Sequence, residues 1–397
     1  MSINMNILHA LEQLRIPFLE YIFLGITHLG AEAVSAVAAF AIYWCVSKRE
    51  GLFVIANCLI GSGVNQIVKL VCHVPRPFVQ YEDFDVVEKA RATTGGFSFP
   101  SGHTQNSTSL YGSIAVISKR LDTSSSGDIC SKRLDACSPG EIGLNKPDSE
   151  SSSTVHSKAM NFLRRKGVRI FFAVMIVLVA FSRLYLGAHY PTDVMGGFVC
   201  GLIILVLMSL AFRGIEQHPN RISLIFGIGA AAMIVALLVF ETESWQKTLL
   251  ELTDPEALRD MLKGIAVCAG CSLAVAVCEP IERKCVRFET DALWWAQILK
   301  TVIGLALVVA LALIMKYPTE AIFGTVGVGS SAILPGTVSV ESSSDLLGTV
   351  SADSSTIISG MGTIGYVIRF FVPAAFGICV WPLSFKLFPK GSVASTP

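Results

Sequence analysis

Charged side chains are scarce in this sequence. Only 15% of its 397 residues are Asp, Glu, Lys or Arg, whereas soluble domains average about 25%. This scarcity excludes a chain that is mainly dissolved in water. The net charge is +1, which excludes the broad basic surface of a nucleic-acid-binding protein, so no nucleic-acid partner is expected.

Two other signals are missing. Residues 1–14 hold no basic stretch followed by an apolar one, so the sequence predicts no cleavable signal sequence. The eleven cysteines lie mostly within apolar runs and do not form the framework of a disulfide-rich secreted protein. Cys268 and Cys271 form a C-x2-C pair without a second half, and we expect them to be buried thiols rather than a metal site.

Long uncharged runs are abundant. The segments 194–212 and 222–240 each contain 19 uncharged residues, close to the ~20 that a helix needs to cross a bilayer. Residues 7–26 are interrupted by charges and by Pro17, and they indicate an interfacial helix. The nine predicted membrane spans lie near residues 29–46, 51–70, 105–118, 168–185, 194–212, 222–240, 264–278, 297–315 and 365–383. The predicted fold class is therefore all-α, a polytopic transmembrane helical bundle.

The basic residues of the loops are unevenly distributed. Loops on one side of the predicted spans hold 19 Lys and Arg residues, against nine on the other side. Basic loops are retained in the cytoplasm, so the loops 71–103 and 184–193 are predicted to face outward. Residues 121–157 are rich in Ser, Asp, Lys and Gly and predict a flexible cytoplasmic insert, and residues 325–362 predict an outer loop.

Two cations follow the second predicted span. Lys69 ends that span and Arg76 comes seven residues later, so both are expected at the outer membrane surface, where they could bind an anion. The span also carries Asn57, Asn65 and Gln66, which are costly in hydrocarbon unless they face a neighbouring helix or a cavity. Taken alone, the two cations could equally be snorkelling at a helix end.

A glycine- and serine-containing segment precedes the third predicted span. Residues 95–103 read GGFSFPSGH, and glycine lets a backbone approach a ligand closely. The start of a helix also leaves unpaired N–H groups beside the positive end of its dipole, an arrangement that suits a phosphate. Taken alone, Ser101 could be a plain N-cap and His103 an interfacial histidine.

A third polar group lies between the fourth and fifth predicted spans. Ser182 and Arg183 are followed by His189 and then, four residues on, by Asp193. From the first turn of a helix, the Asp193 carboxylate could accept the Nδ1 proton of His189, leaving Nε2 unprotonated as a nucleophile. A loop histidine and a capping aspartate are each commonplace, but all three groups are predicted on one face of the membrane.

These three groups resemble the signatures of the type 2 phosphatidic acid phosphatase (PAP2) superfamily. Residues 69–77 match K-x6-R-P, residues 100–103 match P-S-G-H, and residues 182–193 match S-R-x5-H-x3-D. All three are complete and in the family's order. The resemblance covers about residues 29–212, and the later spans look like the C-terminal extensions of some bacterial membrane members.

The resemblance implies a role for each matching residue. His189 would be the nucleophile that forms a phosphohistidine, Asp193 would orient it, and His103 would protonate the leaving oxygen and then activate water. Phosphoryl transfer depends mainly on positioning and on stabilising charge, so no metal and no cofactor is expected. The residues expected to hold the phosphoryl oxygens are Lys69, Arg76, Ser101, Gly102 and Arg183.

The expected substrate is an amphiphile, either a lipid phosphate monoester or a polyprenyl pyrophosphate, hydrolysed at the extracytoplasmic face, with membrane lipid as the other partner. The expected location is a bacterial plasma membrane. Two alternatives stay open: a lipid phosphotransferase that uses the same histidine, and a membrane transporter. The predicted domains are an interfacial segment 1–27, a PAP2-like core 28–212 and a transmembrane extension 213–397.

Overall fold

All regular elements of the described residues are helices. The computed structural model describes residues 3–135, 166–253, 255–323 and 360–389. Within those ranges the helices, numbered in chain order, are α1 Ile3–Glu12, α2 Pro17–His28, α3 Glu32–Cys45, α4 Lys48–Cys72, α5 Pro77–Gln80, α6 Glu88–Arg91, α7 Gly102–Asp135, α8 Lys166–Tyr185, α9 Pro191–Ala211, α10 Asn220–Phe240, α11 Glu243–Leu252, α12 Pro255–Ile281, α13 Trp294–Ile314, α14 Lys316–Phe323 and α15 Gly360–Ala375. A π-helical turn, Glu282–Val286, extends α12, and Phe376–Val380 and Trp381–Leu387 extend α15.

The predicted fold class, a polytopic transmembrane helical bundle, is confirmed. Seven helices of the described residues are long and apolar enough to cross a membrane: α4, α8, α9, α10, α12, α13 and α15 with their extensions. Helices α2 and α3 meet at 46° and qualify only as a bent pair, which would make an eighth. The interfacial role predicted for residues 7–26 stays a prediction.

Helix α7, which contains the predicted span 105–118, is not one of the seven. Its polar side chains lower its hydropathy, yet most of those in residues 102–121 are buried at the centre of the bundle, against α4, α8 and α9. Several form hydrogen bonds within the helix, since Ser107 Oγ and Thr108 Oγ1 both donate to the Thr104 carbonyl at 2.9 and 2.8 Å. Gln105 Nε2 donates to the Gly61 carbonyl of α4 at 2.6 Å. Burial against other helices therefore explains why α7 can lie within the bundle without an apolar surface.

The C-terminal helices pack directly onto the core rather than forming a separate body. Helix α12 lies against α4, α10 and α15, while α13 packs on α3 and α15. Leu70 at the end of α4 belongs to the same buried apolar cluster as Met233 of α10 and Met261 of α12. Phe97, from the loop before α7, completes this cluster. The extension therefore supports the loop that carries the second motif.

Two predicted loops fall largely outside the described residues. Helix α7 continues to Asp135, so the first part of the segment 121–157, predicted as a flexible insert, is helical. Residues 136–157 of that insert lie outside the described ranges. The same holds for nearly all of the predicted outer loop 325–362, since α15 begins at Gly360.

Candidate active site

The three motifs meet at one end of the bundle, which we call the site end. It lies where α4 and α8 end and where α7 and α9 begin. A cavity of about 310 Å³ opens there and is lined by five of the eight predicted residues. The five are Lys69, Arg76, Gly102, His103 and His189. The other three, Ser101, Arg183 and Asp193, are buried at the same end.

His189 is fixed in the short connection between α8 and α9. The Asp193 carboxylate caps the start of α9, because its Oδ2 accepts from the Tyr190 amide at 2.9 Å. The same oxygen lies 3.6 Å from His189 Nδ1, an ion-pair distance and longer than a hydrogen bond. Ser98 lies between them, since its Oγ donates to Asp193 Oδ2 at 2.5 Å and lies 3.3 Å from His189 Nδ1. The structure therefore does not contain the direct hydrogen bond predicted from the sequence, and Ser98 lies between the two groups instead.

The other ring nitrogen of His189 faces Arg76. Arg76 Nη1 lies 3.3 Å from His189 Nε2, and the imidazole is only 1% exposed. Burial lowers the pKa of His189 well below its ordinary value of 6.5, and the positive charges of Arg76, Arg183 and Lys69 lower it further. The ring is therefore neutral at pH 7, which is the protonation state that a nucleophile requires.

The Arg76 guanidinium is held by backbone carbonyls on three sides. Its Nη2 donates to Gly95 at 2.7 Å, its Nε to Gly96 at 2.9 Å and its Nη1 to Ala188 at 3.0 Å. The two glycines, predicted as part of a phosphate-binding nest, thus also orient a cation. Gly96 has a φ of +59°, and an added Cβ would lie 2.5 Å from Met261 Sδ. Because the guanidinium is already oriented, binding an anion costs little rearrangement.

Arg183 is completely buried and only partly satisfied. Its Nη1 donates to Thr27 Oγ1 at 2.8 Å and to Thr93 Oγ1 at 3.1 Å. Its Nε and Nη2 have no hydrogen-bond partner. Buried charged donors are normally paired, so these two N–H groups favour an anion as their missing partner.

The start of α7 is tied to both neighbouring helices. The Ser101 amide donates to the Asp193 carbonyl at 3.0 Å, and Ser101 Oγ accepts from Thr104 Oγ1 at 3.0 Å. From α4, Asn65 Nδ2 donates to Gln105 Oε1 at 2.8 Å. These contacts place Gly102 and His103, in the first turn of α7, on the cavity wall.

Sequence reasoning missed several residues of the site. Asn65 and Gln66 do line the cavity, as their cost in hydrocarbon predicted, whereas Asn57 only donates to the Phe53 carbonyl of its own helix. Ser98, Thr27 and Thr93 were not predicted, because a serine or threonine in a loop or helix gives no chemical signal of its own. The further lining residues that were missed include Glu32, Asn106, Asp260 and Met261.

The next question is whether the side chains of the site could bind a metal ion. Across the residues that the structure describes, no cluster of three or more His, Cys, Asp or Glu side chains could hold a metal ion.

Comparison with known proteins shows similarity to one family. The model of the PAP2 superfamily matches residues 50–216. Phosphatidylglycerophosphatase B of Bacillus subtilis is 27% identical over 213 residues, which are 52% of this chain and 80% of the relative. A crystal structure of a transmembrane PAP2 type phosphatidylglycerolphosphate phosphatase from Bacillus subtilis is 26% identical, covers 51% of this chain and 81% of its own, and gives a TM-score of 0.33.

Residues 50–216 are thus similar to the PAP2 superfamily. This similarity and the long apolar helices indicate an integral membrane phosphatase, a phosphoric ester hydrolase. Residues 217–397 lie beyond the matched range.

Proposed function

We propose that this protein removes phosphate from a lipid phosphate monoester or a polyprenyl pyrophosphate, at the extracytoplasmic face, through a phosphohistidine. The phosphatidylglycerolphosphate named for its relative is one such lipid. The observation that carries the proposal is the position of the His189 imidazole, which is buried and neutral, with Nε2 beside Arg76 at the cavity wall.

The first half of the reaction forms the intermediate. The lone pair on His189 Nε2 attacks phosphorus, and the bond between phosphorus and the lipid oxygen breaks. His103 donates a proton to that oxygen, so the lipid leaves as an alcohol or as a shorter phosphate. Without substrate, burial and the charges of Arg183 and Lys69 lower the pKa of His103 well below its ordinary value, and the negative charge of a bound phosphate raises that pKa, which lets the ring carry the proton. Lys69, Arg76 and Arg183 stabilise the charge on the equatorial oxygens.

The second half restores the enzyme. His103, now neutral, accepts a proton from a water molecule that attacks the phosphorus of the phosphohistidine. The bond from phosphorus to Nε2 breaks, and inorganic phosphate leaves. The hydrogen bonds of Asp193 and Ser98 keep the ring in one orientation through both halves, and the carboxylate stabilises the ring while it carries positive charge.

No metal or cofactor has a part in this scheme, because three cations provide the charge stabilisation. The sidedness of the proposal rests on the distribution of basic residues, since the loops opposite the site end hold most of them. A site at the membrane surface suits a substrate whose tail remains in lipid.

The experiment is an assay of released phosphate with purified protein and with the His189→Ala variant. The substrates are phosphatidate, phosphatidylglycerolphosphate and undecaprenyl pyrophosphate, each tested with and without EDTA. We expect the wild type to release phosphate from at least one of them, undiminished by EDTA, and the variant to release none. His218→Ala, an exposed histidine far from the site in sequence, is the matched control and should match the wild type.

Three results would contradict the proposal: full activity of His189→Ala, an absolute requirement for added metal, or no phosphate release from any substrate. Transfer of the phosphoryl group only to an added acceptor lipid would support the phosphotransferase alternative instead.

A further inference from the structure

A second cavity lies inside the membrane region, between the PAP2 core and the C-terminal extension. It has a volume of about 350 Å³. Helices α3 and α4 form one wall, and α12, α13 and α15 form the other. Nearly all of its lining side chains are apolar or small. We call it the apolar chamber.

The apolar chamber adjoins the cavity that contains the candidate catalytic residues. Glu32, Ser62 and Asn106 line both. Asn106 is 6% exposed, and its Nδ2 donates to the Gly30 carbonyl at 2.8 Å while its Oδ1 has no partner. An unsatisfied acceptor at this junction fits a hydroxyl donor on a bound molecule that extends from one cavity into the other.

Aromatic side chains pack together at the end of the chamber away from the site. Phe40 and Ile378 line this end, and the Phe40 ring lies 4.8 Å from the Trp44 ring, centroid to centroid. Trp44 Nε1 donates to the Gly377 carbonyl at 3.0 Å, which ties α3 to the extension of α15. These side chains therefore limit how far a hydrocarbon chain can extend from the site into the chamber.

One side of the chamber is open. Ala33 and Ala36 of α3 and Val309 of α13 line it and are exposed. In a membrane-spanning bundle this opening faces the hydrocarbon of the bilayer. The small side chains of Ala33 and Ala36 leave a gap through which a lipid chain can enter the chamber laterally from the bilayer.

We propose that the apolar chamber binds one hydrocarbon chain of the substrate whose phosphate lies in the cationic cavity. The C-terminal helices α12, α13 and α15 are then a chain-binding subsite. Its volume is at the small end of the ~300–1,000 Å³ typical of ligand pockets, which fits one chain, and a second chain of a diacyl lipid stays in the bilayer. This inference rests on the proposed function.

The test uses n-alkyl phosphates from ethyl to octyl, supplied below their micelle concentration to the full-length protein in lipid nanodiscs. Each buried methylene contributes at most about fourfold in binding, so we expect kcat/KM to rise at least about tenfold from ethyl to octyl phosphate. Ala36→Phe narrows the chamber. It should remove most of that rise while leaving ethyl phosphate hydrolysis nearly unchanged.

The matched control is Val37→Phe, the neighbouring exposed position on α3, which lines neither cavity. It should leave the whole series unchanged. If Ala36→Phe does not fold, Cys271→Phe fills the chamber from α12, with the lipid-exposed Val277→Phe as its control.

The outcomes separate the two proposals. Hydrolysis that does not depend on chain length, or equal losses in Ala36→Phe and Val37→Phe, would overturn the chain-binding subsite while the phosphatase activity stands. Absence of hydrolysis of every alkyl and lipid phosphate would overturn the proposed function, and the chain-binding subsite with it.

Discussion

Ser98 is the residue that connects the aspartate to the histidine. Its hydroxyl donates to Asp193 Oδ2 and lies within hydrogen-bond distance of His189 Nδ1, whereas the carboxylate itself is 3.6 Å from that nitrogen. A buried hydroxyl that orients a catalytic ring acts through positioning. It does not itself contact the reacting phosphorus in the proposed mechanism.

Ser98→Ala should therefore lower kcat without abolishing it. Loss of one hydrogen bond to a charged group costs about 1.5–3 kcal/mol, so we expect a decrease of roughly 10- to 100-fold. Ser107→Ala removes a buried hydroxyl that only bonds its own helix and should stay within about twofold. Steady-state kinetics of both variants checks this, and an unchanged kcat for Ser98→Ala would contradict the positioning role.

The neutral state of His189 predicts the pH dependence. In the proposed mechanism the nucleophile is the unprotonated ring, so activity should fall as the pH drops through the pKa of His189. Because burial and the charges of Arg76, Arg183 and Lys69 lower that pKa, the acid limb of kcat/KM should lie well below pH 6.5. A pH–rate profile measures it. An acid limb at or above pH 6.5 would contradict this prediction. In Arg76→Gln one of the positive charges that lower the pKa of His189 is removed, so the acid limb of its residual activity should lie at higher pH than in the wild type.

At the scale of elements, close packing of α7 and α9 sets the distance between His103 and His189. Both helices begin at the site, and Gly201 of α9 lies against Thr108 of α7. An added Cβ at Gly201 would lie 2.7 Å from Thr108 Cβ and 3.1 Å from the Gln105 carbonyl. Such contacts force the helices apart.

Gly201→Ala should destabilise the protein and reduce its activity together. Overpacking costs about 1–3 kcal/mol, which predicts a Tm lower by several degrees. Gly227→Ala in α10 has no neighbour closer than 4.0 Å and should leave Tm unchanged or slightly raised. Thermal unfolding in one detergent compares them, and equal Tm values for the two variants would show that the α7–α9 contact is not critical.

At the scale of the whole molecule, the sequence holds most of its basic loop residues in the loops predicted to lie on the side opposite the site end. This asymmetry predicts that the site faces away from the cytoplasm. In sealed vesicles, a water-soluble phosphate ester that cannot cross the membrane should be hydrolysed by right-side-out but not by inside-out preparations. Hydrolysis only in inside-out vesicles would reverse the assignment.

The fold class and the meeting of the three motifs could be predicted from the sequence, because each apolar run and each motif is recognised from residues that are close together in the chain. Apolar runs reveal spans, and Lys69, Arg76 and His189 stand in short motifs with fixed spacing. Ser98 and Thr27 could not be predicted, since their importance comes from contacts with residues far away in the chain. Helix α7 was predicted only as a span near residues 105–118. Burial of its polar residues against three helices, rather than hydropathy, accounts for its place in the bundle. The apolar chamber could not be predicted from the sequence either, since it forms only where five helices pack together.

The most direct test of the central claim is to trap the intermediate. His103→Asn should slow attack by water, and a substrate whose leaving group needs no proton, such as p-nitrophenyl phosphate labelled with radioactive phosphorus, should still form the intermediate, so that the label stays on the protein. A phosphohistidine resists base and is lost in acid, and peptide mass spectrometry should locate it at His189. Label on another residue, or base-labile label on a serine or carboxylate, would contradict the account.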